Sequence, residues 1–239
     1  MRKSLVSVIA ASAAVGGCHA HHEDGGPTAS RTYQVGNFQQ IEVAGPYDVD
    51  VRTGGNPAVS AQGPEKLLER TDVTVEGNKL VIRSHRSGFF HMGFGSNRGA
   101  KFTVTVPQLT GASLVGSGDV RVDRIQGQDF EGSLAGSGDL SVGSMNVQSL
   151  KLSIAGSGDL KAGTGKAQSA DYNIAGSGDL DASTVDVQEM QISVAGSGGV
   201  HAHGSGSAQV SIMGSGDVDI TGGAKCQISK AGSGDVHCS

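Results

Sequence analysis

Six aspartates recur at one position of a repeated Gly-Ser-Gly-Asp motif, and their type and spacing make them the first candidates for chemistry. The motif returns at intervals of 20, 20, 20, 20, 18 and 18 residues, and Gly199 replaces the aspartate in one copy. Carboxylates stacked about 4.8 Å apart repel one another by roughly 0.9 kcal/mol per pair in water, so each needs a partner. We expect hydrogen bonds from the N–H groups of each aspartate's own turn or from the motif serines. The column comprises Asp119, Asp139, Asp159, Asp179, Asp217 and Asp235.

A cation is the alternative partner for this aspartate column. Ca²⁺ prefers oxygen ligands, but calcium-binding nonapeptide repeats place two turns in each coil, whereas this motif supplies one. The sequence therefore predicts a structural role for the aspartates and no cofactor, with structural Ca²⁺ as the remaining alternative. His201 and His203 lie two residues apart in the copy that carries Gly199. Two histidines are too few ligands for a zinc site, so we expect both at variable surface positions.

A polysaccharide-cleaving β-helix enzyme is the main catalytic alternative. Such an enzyme would need a non-repeating cluster of acids and aromatic platforms for sugars. The repeats carry only Phe130 and Tyr172 as aromatic residues, and both fall in apolar positions. The sequence contains no nucleotide-binding loop, nucleophile motif or paired metal-ligand spacing, so we assign no catalytic residues.

The first 30 residues predict export rather than fold. A basic start and the apolar run from Leu5 to Val15 are typical of an export signal, and the run is too short for a membrane span. The four residues that end at Cys18 resemble a bacterial lipobox, in which the cysteine is lipidated; ordinary cleavage after Ala20 is the alternative. We therefore expect an export signal at 1–18, lipid attachment at Cys18 and a flexible tether at 19–30.

Cys226 and Cys238 remain after the lipobox cysteine. In an oxidising compartment the pair could form a disulfide that closes the C-terminal end of the domain. Two small buried thiols at a frayed terminus are the alternative.

The elements that position these residues follow from apolar columns on both sides of the motif. Counted from the first glycine, the apolar positions lie two residues before it, four after and six after, as in Ile154, Leu160 and Ala162. Period two is typical of strands. Twelve residues of straight strand would span roughly 40 Å, so the chain must bend, and the motif glycines are the natural corner. Each repeat then holds two short strands and a return segment.

Five glutamines lie in register eight residues before the first motif glycine. Identical amides in stacked coils could hydrogen-bond along the stack. The column stops where the repeat shortens to 18 residues, which indicates that the deletion removed part of that turn. Together these columns predict an all-β parallel β-helix (solenoid) of 18–20-residue coils with three faces and a narrow apolar core. The glutamines are Gln108, Gln128, Gln148, Gln168 and Gln188.

Residues 31–107 keep the strand pattern without the exact motif, as expected for divergent coils and a cap at one end of the stack. Ala44–Val49 has the pattern of a decayed repeat, and Val73–Ile82 is predicted to be a hairpin. The regular repeats occupy 108–239, and we expect a single domain over 31–239. Helix is expected only as a turn near Glu65–Glu69.

One insert, residues 87–95, places four large apolar side chains between glycines. We expect a loop folded over the open end of the stack, and an exposed apolar contact loop for a partner or membrane is the alternative. The four residues are Phe89, Phe90, Met92 and Phe94.

Composition limits both the core and the partners. The chain has 39 glycines, no tryptophan and 4% aromatic residues, which suits a narrow core in which backbone approaches backbone. The net charge is −5, and residues 111–239 carry 14 Asp and Glu against 7 Lys and Arg. Nucleic acid is therefore not an expected partner.

The repeated Ala-Gly-Ser-Gly-Asp-Leu coils and the stretch from Phe38 to Val51, which alternates Ile, Val and Gly, resemble the bacterial head GIN domain family. The resemblance covers roughly residues 31–239. It implies a β-helical domain at the cell surface or in the periplasm, named for auto-transporter adhesin heads and of unknown function, with no catalytic residues to carry over. We expect an exported, lipid-anchored, non-catalytic module of the cell envelope, in the outer membrane or periplasm. Its ligand would be a surface polymer, another protein or a second copy, and the oligomeric state is open.

Overall fold

Alternating apolar residues produce the strands of this chain, because period two places every second side chain on the same face. The computed structural model describes residues 8–9, 27–85 and 99–239. It is a β-solenoid of stacked parallel coils with about six turns, which confirms the predicted parallel β-helix. The apolar columns of the repeats form one continuous core, in which Tyr172 and Phe130 are both buried.

Each regular coil has three faces, and the coil Leu140–Gly156 illustrates them. Inward and outward residues alternate except at Gly143–Ser144 and Gln148–Ser149, where two successive residues point outward and the chain turns a corner, and at Ala155–Gly156, which lead into the motif turn. The third corner is the motif turn Ser157–Asp159, which separates this strand from the next.

The regular part of the solenoid pairs each coil with the next in parallel register. Residues at the same position of the repeat lie side by side, so Ile154 pairs with Ile174 and Leu160 with Leu180. Its strands are β9 (Gly111–Gly116), β10 (Val120–Gln126), β11 (Asp129–Gly136), β12 (Leu140–Gly156), β13 (Leu160–Gly176), β14 (Leu180–Gly196), β15 (Val200–Gly214), β16 (Val218–Thr221), β17 (Lys225–Gly232) and β18 (Val236–Cys238).

The N-terminal part combines parallel coils with antiparallel strands. The predicted hairpin is confirmed, because Thr71–Glu76 pairs antiparallel with Lys79–Ser84. Glu65–Glu69 forms one short helix, α1, and no helix in the described part of the chain is long and apolar enough to cross a membrane. The strands are β1 (Val8–Ile9), β2 (Thr28–Tyr33), β3 (Gln40–Ala44), β4 (Asp48–Thr53), β5 (Ala58–Pro64), β6 (Thr71–Glu76), β7 (Lys79–Ser84) and β8 (Lys101–Val106).

The spatial order of the first coils differs from their order in the chain. Strand β3 lies between β7 and β9, and β4 lies between β8 and β10, all in parallel. The coil made by β7 and β8 therefore precedes the coil made by β3 and β4 in the stack. The register also confirms the decayed repeat, because Ala44 pairs with Val115 and Val49 with Val120. Asp48 accordingly occupies the position of the motif aspartate in this coil.

The shortening from 20 to 18 residues arises at a different corner from the one expected. Between β14 and β15, Ala182 pairs with Ala202 and Asp186 with His203, so three residues are lost there. At the glutamine corner, Val187 pairs with Gly204 and Glu189 with Ser207, which adds one residue. The prediction that the deletion removed part of the glutamine turn is therefore wrong.

Candidate functional site

The motif turn is built by close approach of main chain to main chain. Gly156 has φ +141°, a conformation that L side chains rarely adopt. A Cβ atom on Gly158 would collide with the carbonyl oxygen of Gly138 in the preceding coil. The Gly136 carbonyl oxygen in turn accepts the N–H groups of Ser157 at 2.9 Å and Gly158 at 3.2 Å. Glycine at both positions therefore lets successive turns stack directly.

The aspartates of the motif form a ladder of hydrogen bonds between coils. In each case the carboxylate Oδ1 accepts the main-chain N–H of the residue at the same position in the next coil. Asp139 donates to Asp119 at 3.3 Å, and Asp179 donates to Asp159 at 3.1 Å. Asp235 donates to Asp217 at 2.8 Å. The donor is thus the main-chain N–H of the next coil. This differs from the sequence prediction, which placed the donor in the aspartate's own turn or at a motif serine.

This ladder explains how a column of like charges is accommodated. Each carboxylate lies beside a donor N–H that belongs to the next coil, so the column joins the coils it would otherwise push apart. Asp119, at the start of the ladder, also pairs with Arg121 at 2.7 Å. The acid-rich motif therefore carries part of the inter-coil hydrogen bonding.

Gly199 interrupts the ladder. Its N–H still donates to Asp179 Oδ1 at 2.6 Å, but the main-chain N–H of Asp217 in the next coil finds no acceptor among the described residues. A cavity of about 510 Å³ opens at the gap, lined in part by His201, Asp219 and His237. One carboxylate oxygen of Asp219, Oδ1, is shielded from solvent and has no hydrogen-bond partner.

The two histidines singled out from the sequence do not form a common site. His201 Nδ1 lies 4.0 Å from Asp219 Oδ2, whereas His203 Nδ1 lies 3.0 Å from the hydroxyl oxygen of Thr221. No group of three or more His, Cys, Asp and Glu side chains in residues 27–85 and 99–239 is arranged to hold a metal ion.

One carboxylate on the same face as the interrupted ladder has a perturbed acidity. Hydrogen bonds from Ser183 hold the pKa of Asp181 below its usual range, with a smaller contribution from the nearby Lys161. The hydroxyl oxygen of Ser183 lies 2.6 Å from Asp181 Oδ1, and Lys161 Nζ lies 3.5 Å from Oδ2.

A second, larger cavity of about 610 Å³ runs beside the glutamine corner and crosses five coils. We call it the axial groove. Two outward columns line its sides, and its floor is formed at the intervening positions, whose side chains are buried or partly buried in the core. The side columns are Ser149, Ser169, Glu189, Ser207 and Lys225 on one side and Asp171, Gln191, Gln209 and Gln227 on the other. The floor residues are Leu150, Ala170, Met190, Ala208 and Cys226.

Sequence reasoning missed this groove. Its signal was present, because Gln191, Gln209 and Gln227 recur at 18-residue intervals five residues before the motif glycine. The sequence prediction of a glutamine column relied on the five glutamines at the adjacent corner, which are more numerous than these three. Those corner glutamines make no side-chain ladder: the Gln128 carbonyl oxygen accepts the main-chain N–H of Gln148 at 2.8 Å, and the side-chain amide of Gln108 donates to a main-chain carbonyl.

The C-terminal coil carries its own closure. A disulfide joins Cys226 to Cys238, with Cα atoms 6.7 Å apart. Lys230 occupies an inward position of the last coil, and its ammonium group donates to the Gly234 carbonyl oxygen at 2.7 Å. An inward lysine on an edge strand is a common device against edge-to-edge association.

Two groups of sequence-predicted residues lie outside the described part of the chain. They are the lipid-attachment residue Cys18 and the contact-loop residues Phe89, Phe90, Met92 and Phe94.

Comparison with known proteins supplies a family and several structural relatives. A family model described as "Putative auto-transporter adhesin, head GIN domain" matches residues 37–224. A search of the curated proteins found no match. At these levels of identity the solved structures below establish the fold alone.

The first is a "putative adhesin" from Bacteroides fragilis, with a TM-score of 0.82 and 23% identity over 92% of this chain and 100% of the other. A "putative lipid binding protein" from Parabacteroides distasonis has a TM-score of 0.72 and 21% identity, covering 91% and 99%. A "putative adhesin" from Parabacteroides merdae has a TM-score of 0.69 and 18% identity, covering 92% and 99%.

Proposed function

The chain belongs to the head GIN domain family, and from that premise we propose that it is an exported, lipid-anchored module of the cell envelope that binds and does not catalyse. The observation that carries this proposal is the aspartate ladder. The carboxylates best placed for chemistry accept N–H groups of the next coil, so their arrangement serves the stack.

The outward surface of the solenoid supports a binding role. Parallel coils repeat the same outward positions about every 4.8 Å, which creates long rows of side chains on a rigid scaffold. Repeat proteins commonly use such extended surfaces for binding. In this chain the rows are mainly serine, glutamine and aspartate, and a surface polymer or a protein partner suits their hydrogen-bonding capacity.

Two features support location in the cell envelope. The four residues ending at Cys18 resemble a lipobox, so a diacylglycerol at that cysteine would provide the membrane attachment. The disulfide between Cys226 and Cys238 is of the kind that persists in oxidising compartments. Together they favour the outer membrane or periplasm.

The anchoring test compares the full chain with a Cys18→Ser variant in a Gram-negative host. We expect the mature protein to begin at Cys18 with a lipid adduct by mass spectrometry and to fractionate with membranes, whereas the variant is released. A mature protein that begins after Ala20 and is soluble would contradict the anchor.

The binding test measures adhesion of cells that display the protein to host-cell and polysaccharide surfaces, relative to cells that produce the unanchored Cys18→Ser chain. Anchored protein should increase retention on at least one surface, without release of reducing ends from any polysaccharide. Release of reducing ends would overturn the non-catalytic assignment.

A further inference from the structure

The axial groove has the dimensions of a site for an extended polymer rather than a compact ligand. Its five coils span four steps of about 4.8 Å, or roughly 19 Å along the solenoid axis. It lies open along its length, and its lining repeats with the coil. A ligand that makes the same contacts at each coil must therefore repeat with nearly the same step.

Step length distinguishes the polymer classes. An extended peptide presents side chains to one face every two residues, or about 6.6 Å, and so loses register with the coils after one or two contacts. An extended chain of pyranose rings advances per ring by nearly the coil spacing. A linear glycan lying parallel to the axis can therefore meet an equivalent pair of side columns at each ring.

The chemistry of the side columns favours an uncharged glycan. Carboxamides and hydroxyls both donate and accept, which suits sugar hydroxyl groups. The side chains of Gln191, Gln209 and Gln227 are exposed, so their carboxamides are available to a ligand. Asp171 and Glu189 in the middle of the groove would repel a polyanion, and Lys225 at its end opposes a polycation.

We propose that the axial groove binds a neutral linear glycan along the solenoid axis, with about one pyranose ring per coil. Contact comes from the side columns, because the floor side chains, among them Met190 and Ala208, are buried in the core. The groove contains no aromatic platform, so each ring contributes little and affinity must grow with chain length. The inference rests on the proposed binding role and deepens it by naming the ligand class. The proposed location in the cell envelope determines only where the protein encounters the glycan.

At its near end the groove starts with Ser149 and Leu150, next to an ion pair that runs between successive coils. One coil before the Asp171 position, Lys151 pairs with Glu131 at 3.4 Å, and neither residue lines the groove. Its far end lies in the last coil, where the disulfide partner Cys226 forms part of the floor. The five coils of the groove therefore offer contacts to about five rings.

The test uses the full mature chain and isothermal titration calorimetry with β-1,4-linked glucose and N-acetylglucosamine oligosaccharides of two, four and six rings. We expect the hexasaccharide of at least one series to bind ten-fold or more tightly than the disaccharide. The double variant Gln191→Ala, Gln209→Ala should weaken hexasaccharide binding about ten-fold. Gln128→Ala, which removes an exposed glutamine outside the groove, should leave it unchanged.

Three results would overturn the glycan assignment: hexasaccharides that bind no better than disaccharides or do not bind, equal loss in Gln128→Ala, or preferential binding of sulfated or uronic-acid polymers. Circular dichroism of each variant, matched to the parent, shows that the fold is kept. Failure of glycan binding with intact surface adhesion would refute this inference alone, whereas glycan binding by a chain that is not exported would refute the proposed location alone.

Discussion

The aspartate ladder makes a quantitative prediction at Asp159. Its Oδ1 accepts the N–H of Asp179 at 3.1 Å, while its own N–H donates to Asp139 at 3.2 Å. Both Asp159→Asn and Asp159→Ala remove the charge and its repulsion with the neighbouring carboxylates. Only the asparagine keeps an oxygen acceptor, so the difference between the two variants isolates the inter-coil hydrogen bond.

The magnitude follows from the hydrogen bond alone. A neutral acceptor facing a main-chain N–H contributes about 1 kcal/mol net, so Asp159→Ala should unfold at a free energy about 1 kcal/mol below Asp159→Asn. For a chain of this size that corresponds to about 2–4 °C in the midpoint of thermal unfolding. Urea unfolding followed by circular dichroism measures the difference.

Asp235 supplies the matched control. Its own N–H donates to Asp217 at 2.8 Å, but its carboxylate accepts no main-chain N–H from another described coil, and Lys230 Nζ lies 3.6 Å from Oδ1. Asp235→Asn and Asp235→Ala should therefore have nearly equal free energies of unfolding. Equal stability of the two variants at Asp159, or a difference at Asp235 as large as that at Asp159, would refute the ladder as a source of inter-coil binding energy.

Three further predictions address the core, the C-terminal coil and one carboxylate. Tyr172→Phe should stabilise the fold by about 1 kcal/mol in urea unfolding, because the tyrosine hydroxyl is buried without a partner and its desolvation also raises the pKa of Tyr172; a loss of stability would contradict this. Reduction of Cys226–Cys238 should destabilise the last coil by about 3 kcal/mol, seen as faster hydrogen exchange confined to 218–239, since the bridge closes a loop with a sequence separation of 12; unchanged exchange would count against it. Ser183→Ala should raise the pKa of Asp181 in an NMR titration; because the folded-state pKa is lowered, the carboxylate's contribution to stability is present above its unfolded-state pKa and disappears as pH falls through the folded-state value.

The periodic part of the fold was predictable from the sequence because each coil repeats its own constraints. Apolar residues such as Ile154 and Leu160 identify inward positions without reference to the rest of the chain. The two motif glycines identify the corner at which main chains must touch. The register of neighbouring coils then follows, since equivalent residues stack on one another.

The N-terminal stack was not predictable in the same way. Strand β3 pairs with both β7 and β9, and these partners lie about 40 and 70 residues away in the chain. Neither pairing follows from a local period. The repeat spacing also could not locate the three-residue deletion after Ala182, because a compensating insertion follows at the glutamine corner.

The candidate site was likewise predictable only where a residue spacing reveals it. The aspartate column was visible as a spacing, but the direction of its hydrogen bonds depends on how the carboxylates tilt relative to the next coil. Predicting the axial groove from the sequence would have required knowing which outward columns flank a corner of the coil. Gln209 in one coil becomes informative only when Gln191 and Gln227 are placed beside it.

A spin-label ruler along the motif serines tests the central claim, that equivalent residues of successive coils lie directly above one another. Nitroxides at Ser117 and Ser197, in a chain with Cys18 replaced by serine, should lie about 19 Å apart at the main chain, because four coil steps of about 4.8 Å separate them. Labels at Ser117 and Ser233 are two coils further apart, and the distance should increase by about 10 Å. Label-to-label distances are measured by pulsed electron paramagnetic resonance. Distances that do not increase by a constant step per coil would contradict the stacked solenoid.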